Sequence, residues 1–210
     1  QGEHLPLIEQ VKKKGFGLGY LAIHNELLRK EVAKMISYAT INVEKSFDAI
    51  YNCDNSNFAE IEETEEKIDL LNKDISQYVS KILVHNQGVS DVAEMEDYFV
   101  ITGNVERIGD HAFNVAEYVN KMIERKVKFS QKTKEEILEM KNVVIKALLS
   151  VVNYEGNVDS YIKTIEDFED KIDEMTLNFK EAHLARMRRG ECSEEGCILY
   201  SELLTDFERI

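Results

Sequence analysis

Between Tyr98 and Met122 the apolar residues Tyr98, Ile101, Val105, Ile108, Ala112, Val115, Val119 and Met122 are spaced 3, 4, 3, 4, 3, 4, 3. Only an α-helix puts such a series on one face, and the spacing suits a face held against neighbours in a left-handed bundle. A second stripe, Ile61, Thr64, Ile68, Leu71, Ile75, Tyr78 and Ile82, has the same rhythm. Helices are therefore predicted over about Asn25–Tyr51, over Ala59–His85, and from after Ser90 to about Val127. The polar cluster Asn52–Asn57 separates the first two and Gly88 closes the second.

The pattern then starts again. A fourth helix is expected over Lys132–Tyr154, with Ile137, Met140, Val144, Ala147 and Val151 inward. A fifth is expected over Asp159–Arg189, with the stripe Ile165, Phe168, Ile172, Met175, Phe179 and Ala182, each 104 residues after a member of the Ile61 stripe. The text Glu65-Glu66-Lys67-Ile68-Asp69 returns as Glu169-Asp170-Lys171-Ile172-Asp173, and Glu106-Arg107-Ile108 as Glu208-Arg209-Ile210. A period this long exceeds any solenoid repeat. It marks a duplicated three-helix unit, six helices in all, with residues 24–128 as the first repeat and 129–210 as the second. The last helix stops in mid-pattern without a cap, so the second repeat is expected to be truncated at its end.

Residues 1–23 read as a linker. Lys12, Lys13 and Lys14 precede Gly15, Gly17 and Gly19, and with no strand before it this glycine run is not a phosphate loop. With 43% hydrophobic and 31% charged residues the chain has globular composition, and one proline, Pro6, leaves few turns for an all-β fold. The net charge of −14 argues against nucleic acid, which is bound by clustered Lys and Arg. No apolar run reaches the ~18 residues of a membrane span. Cys53, Cys192 and Cys197 do not form a disulfide framework and fit a reducing, cytoplasmic setting. Cys192 and Cys197 fall in the predicted loop Gly190–Cys197 and lack the further ligands that zinc requires.

The chemistry-bearing segment runs from Glu106 to Asn114. Glu106, Asp110 and Asn114 are four residues apart and share a side of the helix. With Val105 and Ala112 at heptad position a and Ile108 at d, these three fall at b, f and c, the outward positions. Like charges at i, i+4 repel, a cost that a bound cation reverses. Glu65 and Asp69 repeat the spacing on the preceding helix, with Glu62 and Glu66 beside them, and Glu169 and Asp173 repeat it again, flanked by Asp170. Oxygen ligands of this kind suit hard ions. The competing reading is an acidic face that is simply solvated. Gly109 costs the helix about 1 kcal/mol against alanine, so close helix approach or room for a ligand is expected there. His111 reads as packed or solvated rather than as a ligand, and His4, His24, His85 and His183 suggest no site. No Glu-x-x-His pair, nucleophile elbow, Walker loop or HExxH motif occurs, which argues against an enzyme.

Glu106-Arg107-Ile108-Gly109-Asp110, followed by Asn114, resembles the signature of the PhoU family of phosphate-uptake regulators, and Glu65-x-x-x-Asp69 resembles the acidic spacing on that family's preceding helix. The resemblance covers about His24 to Ile210. It implies an all-α fold of two three-helix bundles with approximate two-fold pseudo-symmetry and a non-catalytic regulatory role in phosphate transport. It also implies metal sites: Glu65, Asp69, Glu106 and Asp110 in the first repeat, Glu169, Asp173 and Glu208 in the second, with Glu62, Glu66, Asn114 and Asp170 in support. Iron, manganese or magnesium fits these oxygens, and zinc fits less well. Partners implied are a membrane phosphate transporter, in cis or in trans, and a sensor kinase, with a homodimer as a further arrangement. The implied place is the cytoplasm at the inner face of the membrane. Two relatives share the fold, the cytoplasmic domain of Na+/phosphate cotransporters and the free-standing regulator of a phosphate ABC transporter. The start at Gln1, the basic lead-in and the text His24-Asn25-Glu26-Leu27-Leu28-Arg29 point to the first. A helical scaffold without metal is the remaining alternative.

Overall fold

A computed structural model of the chain describes residues 4–13, 21–85, 92–152 and 158–210. Among them are seven helices and no strand: α1 Leu7–Lys13, α2 Leu21–Asn52, α3 Phe58–His85, α4 Val92–Arg125, α5 Gln131–Val152, α6 Val158–Arg188 and α7 Glu194–Arg209. The expected all-α class is the observed one. The glycine run at Gly15, Gly17 and Gly19, together with Lys14, Gly88, Ser90 and Tyr154, lies outside the described residues. No helix among the described residues is long and apolar enough to cross a membrane.

The predicted linker is corrected first, because it contains α1. Leu7 and Val11, one turn apart, are fully buried against α3, and the Asp74 carboxylate accepts the Leu7 backbone N–H at 3.1 Å. The same carboxylate meets His4 Nε2 at 2.9 Å, while the Pro6 carbonyl accepts the first helical N–H groups. The basic run hid this short amphipathic turn, since two apolar residues are too few to show a period. The predicted loop Gly190–Cys197 is corrected likewise. Ser193 caps α7 by accepting the Gly196 N–H at 3.0 Å, so the last residues of that span are helical and Cys197 is buried.

Helices α2, α3 and α4 pack as one bundle, and α5, α6 and α7 as another, with α2 against α5 and α4 against α7 across the junction. The cores do not divide at the repeat boundary. One is built from α1, the first half of α2, α3 and the first half of α4. The other joins Val43, Phe47 and Ile50 of α2 and Val115, Val119 and Met122 of α4 to α5 and α7. Phe47 stacks on Phe207 with ring centroids 4.4 Å apart. Helices α2 and α4 therefore serve two cores in succession, whereas α3 packs into the first alone.

Stripe predictions hold best where a helix is enclosed. Ile61, Ile68, Leu71, Ile75, Tyr78 and Ile82 are all buried. On α4, Ile101 is 38% exposed and its neighbour Thr102 is buried instead, the Thr102 hydroxyl donating to the Phe99 carbonyl. Val151 of α5 is exposed. On α6, Ile165, Phe168 and Ile172 are only half-buried and Ala182 is exposed. Past Met175 the buried face of α6 turns to Thr176, His183 and Arg186. Arg186 pairs with Glu136 of α5 and donates to Thr133 at 3.3 Å, a buried polar link that apolar periodicity had no means of showing.

Candidate metal centre

Glu65 and Asp69 are one turn apart on α3, and Glu106 and Asp110 one turn apart on α4. The helices run antiparallel, so Glu65 lies against Gly109 and Asn72 against Glu106. The inward stripes Ile61–Ile68 and Val105–Ala112 fix which faces meet, and the carboxylates fall along the seam beside them. Candidate ligand oxygens of Glu65, Asp69 and Asp110 all lie within 4.8 Å of one another. Asp69 and Asp110 are exposed, whereas Glu65 is half-buried and its Oε2 is sealed from solvent with no hydrogen-bond partner.

Gly109 makes this approach possible. A Cβ at that position would lie 2.8 Å from Glu65 Oε2, closer than real Cβ contacts, and a tight 3.3 Å from Ile68 Cδ1. The glycine that weakens α4 locally is the one that admits the Glu65 carboxylate between the helices.

Charge repulsion is concentrated here. Burial, then the adjoining Asp110 carboxylate, then Asp69 and Glu106 push Glu65 up to about 8. Burial and the Asp110 and Glu66 charges raise Asp69 above the ordinary carboxylate range. Burial, Asp110 and Asp69 raise Glu106, against a lowering by Arg107. A converging cluster in which Glu65 and Asp69 resist ionisation needs either a retained proton or a cation. Hard divalent or trivalent ions take ligands of this type, and the sealed, unpartnered Oε2 fits that role.

Glu106 stands beside the cluster rather than in it, with Oε2 accepting from Asn72 Nδ2 at 2.8 Å. Sequence reading passed over Asn72, although Glu65, Asp69 and Asn72 share a helix face at i, i+4 and i+7. Glu62 and Glu66 are exposed, and Glu66 acts on Asp69 through its charge alone. Asn114 is exposed one turn beyond Asp110. His111 faces the second repeat, its Nδ1 2.9 Å from Asp206 Oδ1, so it is packed and paired rather than turned to the carboxylates.

In the second repeat Glu169, Asp170, Asp173 and Glu208 are exposed. Glu169, Asp173 and Glu208 rim a cavity of about 300 Å³ whose walls include Ile165, Phe168 and Ile172. Among the described residues their oxygens do not converge as those of Glu65, Asp69 and Asp110 do.

The family model described as PhoU domain matches residues 32–119. A phosphate-specific transport system accessory protein, PhoU homolog 1 of Thermotoga maritima, is 25% identical over 187 residues, covering 88% of this chain and 79% of that protein. Two crystal structures share the fold at 17% identity. One is the phosphate transport system regulatory protein PhoU from Streptococcus pneumoniae, with a TM-score of 0.78 over 90% of this chain and 88% of that one. The other is PhoU from Pseudomonas aeruginosa, with a TM-score of 0.79 over 88% of each chain. The span that matches the PhoU domain model holds Glu65, Asp69, Glu106 and Asp110 together, and the chain shares the all-α fold of the two PhoU structures.

Proposed function

We propose that the chain is a non-catalytic regulatory protein of phosphate transport that binds a hard metal ion through Glu65, Asp69 and Asp110, with Glu106 held in reserve by Asn72. The observation that carries the metal reading is the sealed Oε2 of Glu65, unpartnered and facing two further carboxylates. A plain solvated acidic face does not bring a carboxylate oxygen out of water. The transport role rests on the relatives, which by name are an accessory protein and a regulatory protein of phosphate transport systems. Those names favour an accessory regulator over a domain of a cotransporter. The partner that suits the role is a membrane phosphate transporter, with a sensor kinase as a second.

Glu65 and Asp69 of α3 and Asp110 of α4 would hold the ion, whose positive charge would offset the repulsion between the two helices. Gly109 leaves the space and Asn72 orients Glu106. The iron, manganese and magnesium forms are separated by metal analysis and titration of the purified chain. Asp110→Asn should abolish stoichiometric metal uptake and also raise the melting temperature of the metal-free protein by a few degrees, because it removes a repelling charge. An unchanged metal content in Asp110→Asn would remove the site. In cells lacking the native protein, failure of Glu65→Gln/Asp110→Asn to restore phosphate-dependent control of uptake tests the regulatory half.

A further inference from the structure

The corner between α6 and α7 is fixed from both sides. Gly190, at φ 72°, ends α6, its N–H on the Met187 carbonyl and the Glu191 N–H on the Arg186 carbonyl, each at 2.9 Å. Those two bonds make a Schellman motif. Three residues on, Ser193 opens α7. Its hydroxyl accepts the Gly196 N–H and its carbonyl the Cys197 N–H, both at 3.0 Å. A Cβ on Gly196 would itself lie 3.0 Å from that hydroxyl, so the glycine keeps the cap close.

Cys192 lies between the two caps. With Ser193 as N-cap, Cys192 directly precedes the cap and Cys197 is the fourth residue of α7. Those are the positions whose side chains meet in a hydrophobic staple, and here both are cysteine. Cys192 is half-buried, its thiol 4.0 Å from the His183 carbonyl, whereas Cys197 is 5% exposed. Burial first, then the adjoining Cys192, raise the Cys197 thiol against a lowering by Arg186. The two sulfurs therefore act on each other.

As packing, two thiols bury less apolar area than aliphatic side chains would at the same staple. What they add is chemistry. Adjacent sulfurs, one reachable from solvent and one sealed, are the layout of an attacking and a resolving thiol. Soft-metal binding is the rival use of paired thiolates. Among the described residues, no converging group of three His, Cys, Asp or Glu side chains includes these two. The remaining cysteine, Cys53, belongs to the turn after α2.

We propose that Cys192 and Cys197 are a hydroperoxide-reactive thiol pair that closes to a reversible disulfide across the start of α7. The Cys192 sulfur attacks one oxygen of the hydroperoxide and the O–O bond breaks. The other oxygen leaves with the Cys192 proton as water or an alcohol, and Cys192 becomes a sulfenic acid. The Cys197 sulfur then attacks the Cys192 sulfur, the S–S bond forms and the S–O bond breaks. The departing hydroxide takes the Cys197 proton as water. Two thiols have lost two electrons and the peroxide has gained them. A dithiol reverses the bond by exchange. In a reducing setting such disulfides are transient and redox-sensing. This one ties the end of α6 to the first turn of α7, the helix that gives Asp206 to His111 and Phe207 to Phe47. The inference goes beyond the proposed function and does not depend on the carboxylate cluster.

Peptide mass mapping of the whole chain tests it, because trypsin leaves both cysteines in one peptide, residues 190–209, and Cys53 in another, 46–67. The reduced protein is treated with hydrogen peroxide and its remaining thiols are alkylated before digestion. The 190–209 peptide should lose the mass of two hydrogens and regain it with dithiothreitol. It should do so at least ~10-fold faster than Cys53 is oxidised. Cys197→Ser should stop at a sulfenic acid on Cys192, trapped by dimedone, and Cys192→Ser should leave Cys197 alkylatable at the same dose. Helical circular dichroism checks that both variants fold, and the wild-type result stands without them. Asp110→Asn should oxidise as the wild type does, which separates this result from failure of the metal site. A 190–209 peptide that stays reduced, gains oxygen without losing hydrogens, or cross-links between chains overturns the proposal. Oxidation of Cys197 in Cys192→Ser at the wild-type rate overturns it as well.

Discussion

At the scale of single residues, Gly109 separates the local and tertiary costs of the site most cleanly. Alanine there gains about 1 kcal/mol of helix propensity but places a methyl 2.8 Å from Glu65 Oε2. The carboxylate must swing away, so Gly109→Ala should cut metal affinity at least ~10-fold while stability shifts by no more than about 1 kcal/mol. Titration calorimetry and thermal melts measure the two separately. His183 gives a second residue-scale expectation. Burial, with Arg186 beside it, holds its imidazole neutral and brings it down to about 4. Glu136, which faces the same network, is raised by burial against the lowering effect of Arg186. A depressed histidine stabilises the fold fully above its ordinary value of 6.5, and that contribution fades as pH falls through 4. The stability difference between wild type and His183→Leu should therefore shrink steadily between pH 6.5 and 4 in denaturant titrations.

At the scale of elements, α1 and α6 show what secures a helix here. The short α1 has only Leu7, Val11 and the Asp74 carboxylate to hold it on α3. Asp74→Ala removes a cap and the His4 contact together, costs about 1 kcal/mol, and should speed hydrogen exchange over residues 7–13 with little change elsewhere. The long α6 is held at its far end by the buried Arg186–Glu136 pair, while its first half leaves Ile165, Phe168 and Ile172 half-exposed around the cavity. Helix existence was legible from the 3-4 rhythm in both repeats. The face actually buried on α6 was not, because its neighbours enclose only part of it and the buried side is set by Thr176, His183 and Arg186.

Across the whole molecule, the two repeats share structure rather than standing side by side. Phe47 of α2 and Phe207 of α7 stack in a core to which both repeats contribute, and His111 of α4 pairs with Asp206 of α7. Phe207→Ala should cost about 3–5 kcal/mol. Because α2 and α4 thread both cores, the loss should lower one cooperative transition by calorimetry. Two resolved transitions would show that the repeats unfold independently.

Periodicity along one helix is a local property. The spacing of Ile61 to Ile82 and of Tyr98 to Met122 was therefore enough to determine long helices, most of their apolar faces and the acidic pairs at i, i+4. The axial register between helices depends on packing among side chains far apart in the chain, and only the tertiary structure decided it. That register sends Glu65 Oε2 out of water against Gly109, gives Glu106 to Asn72, and turns His111 toward Asp206.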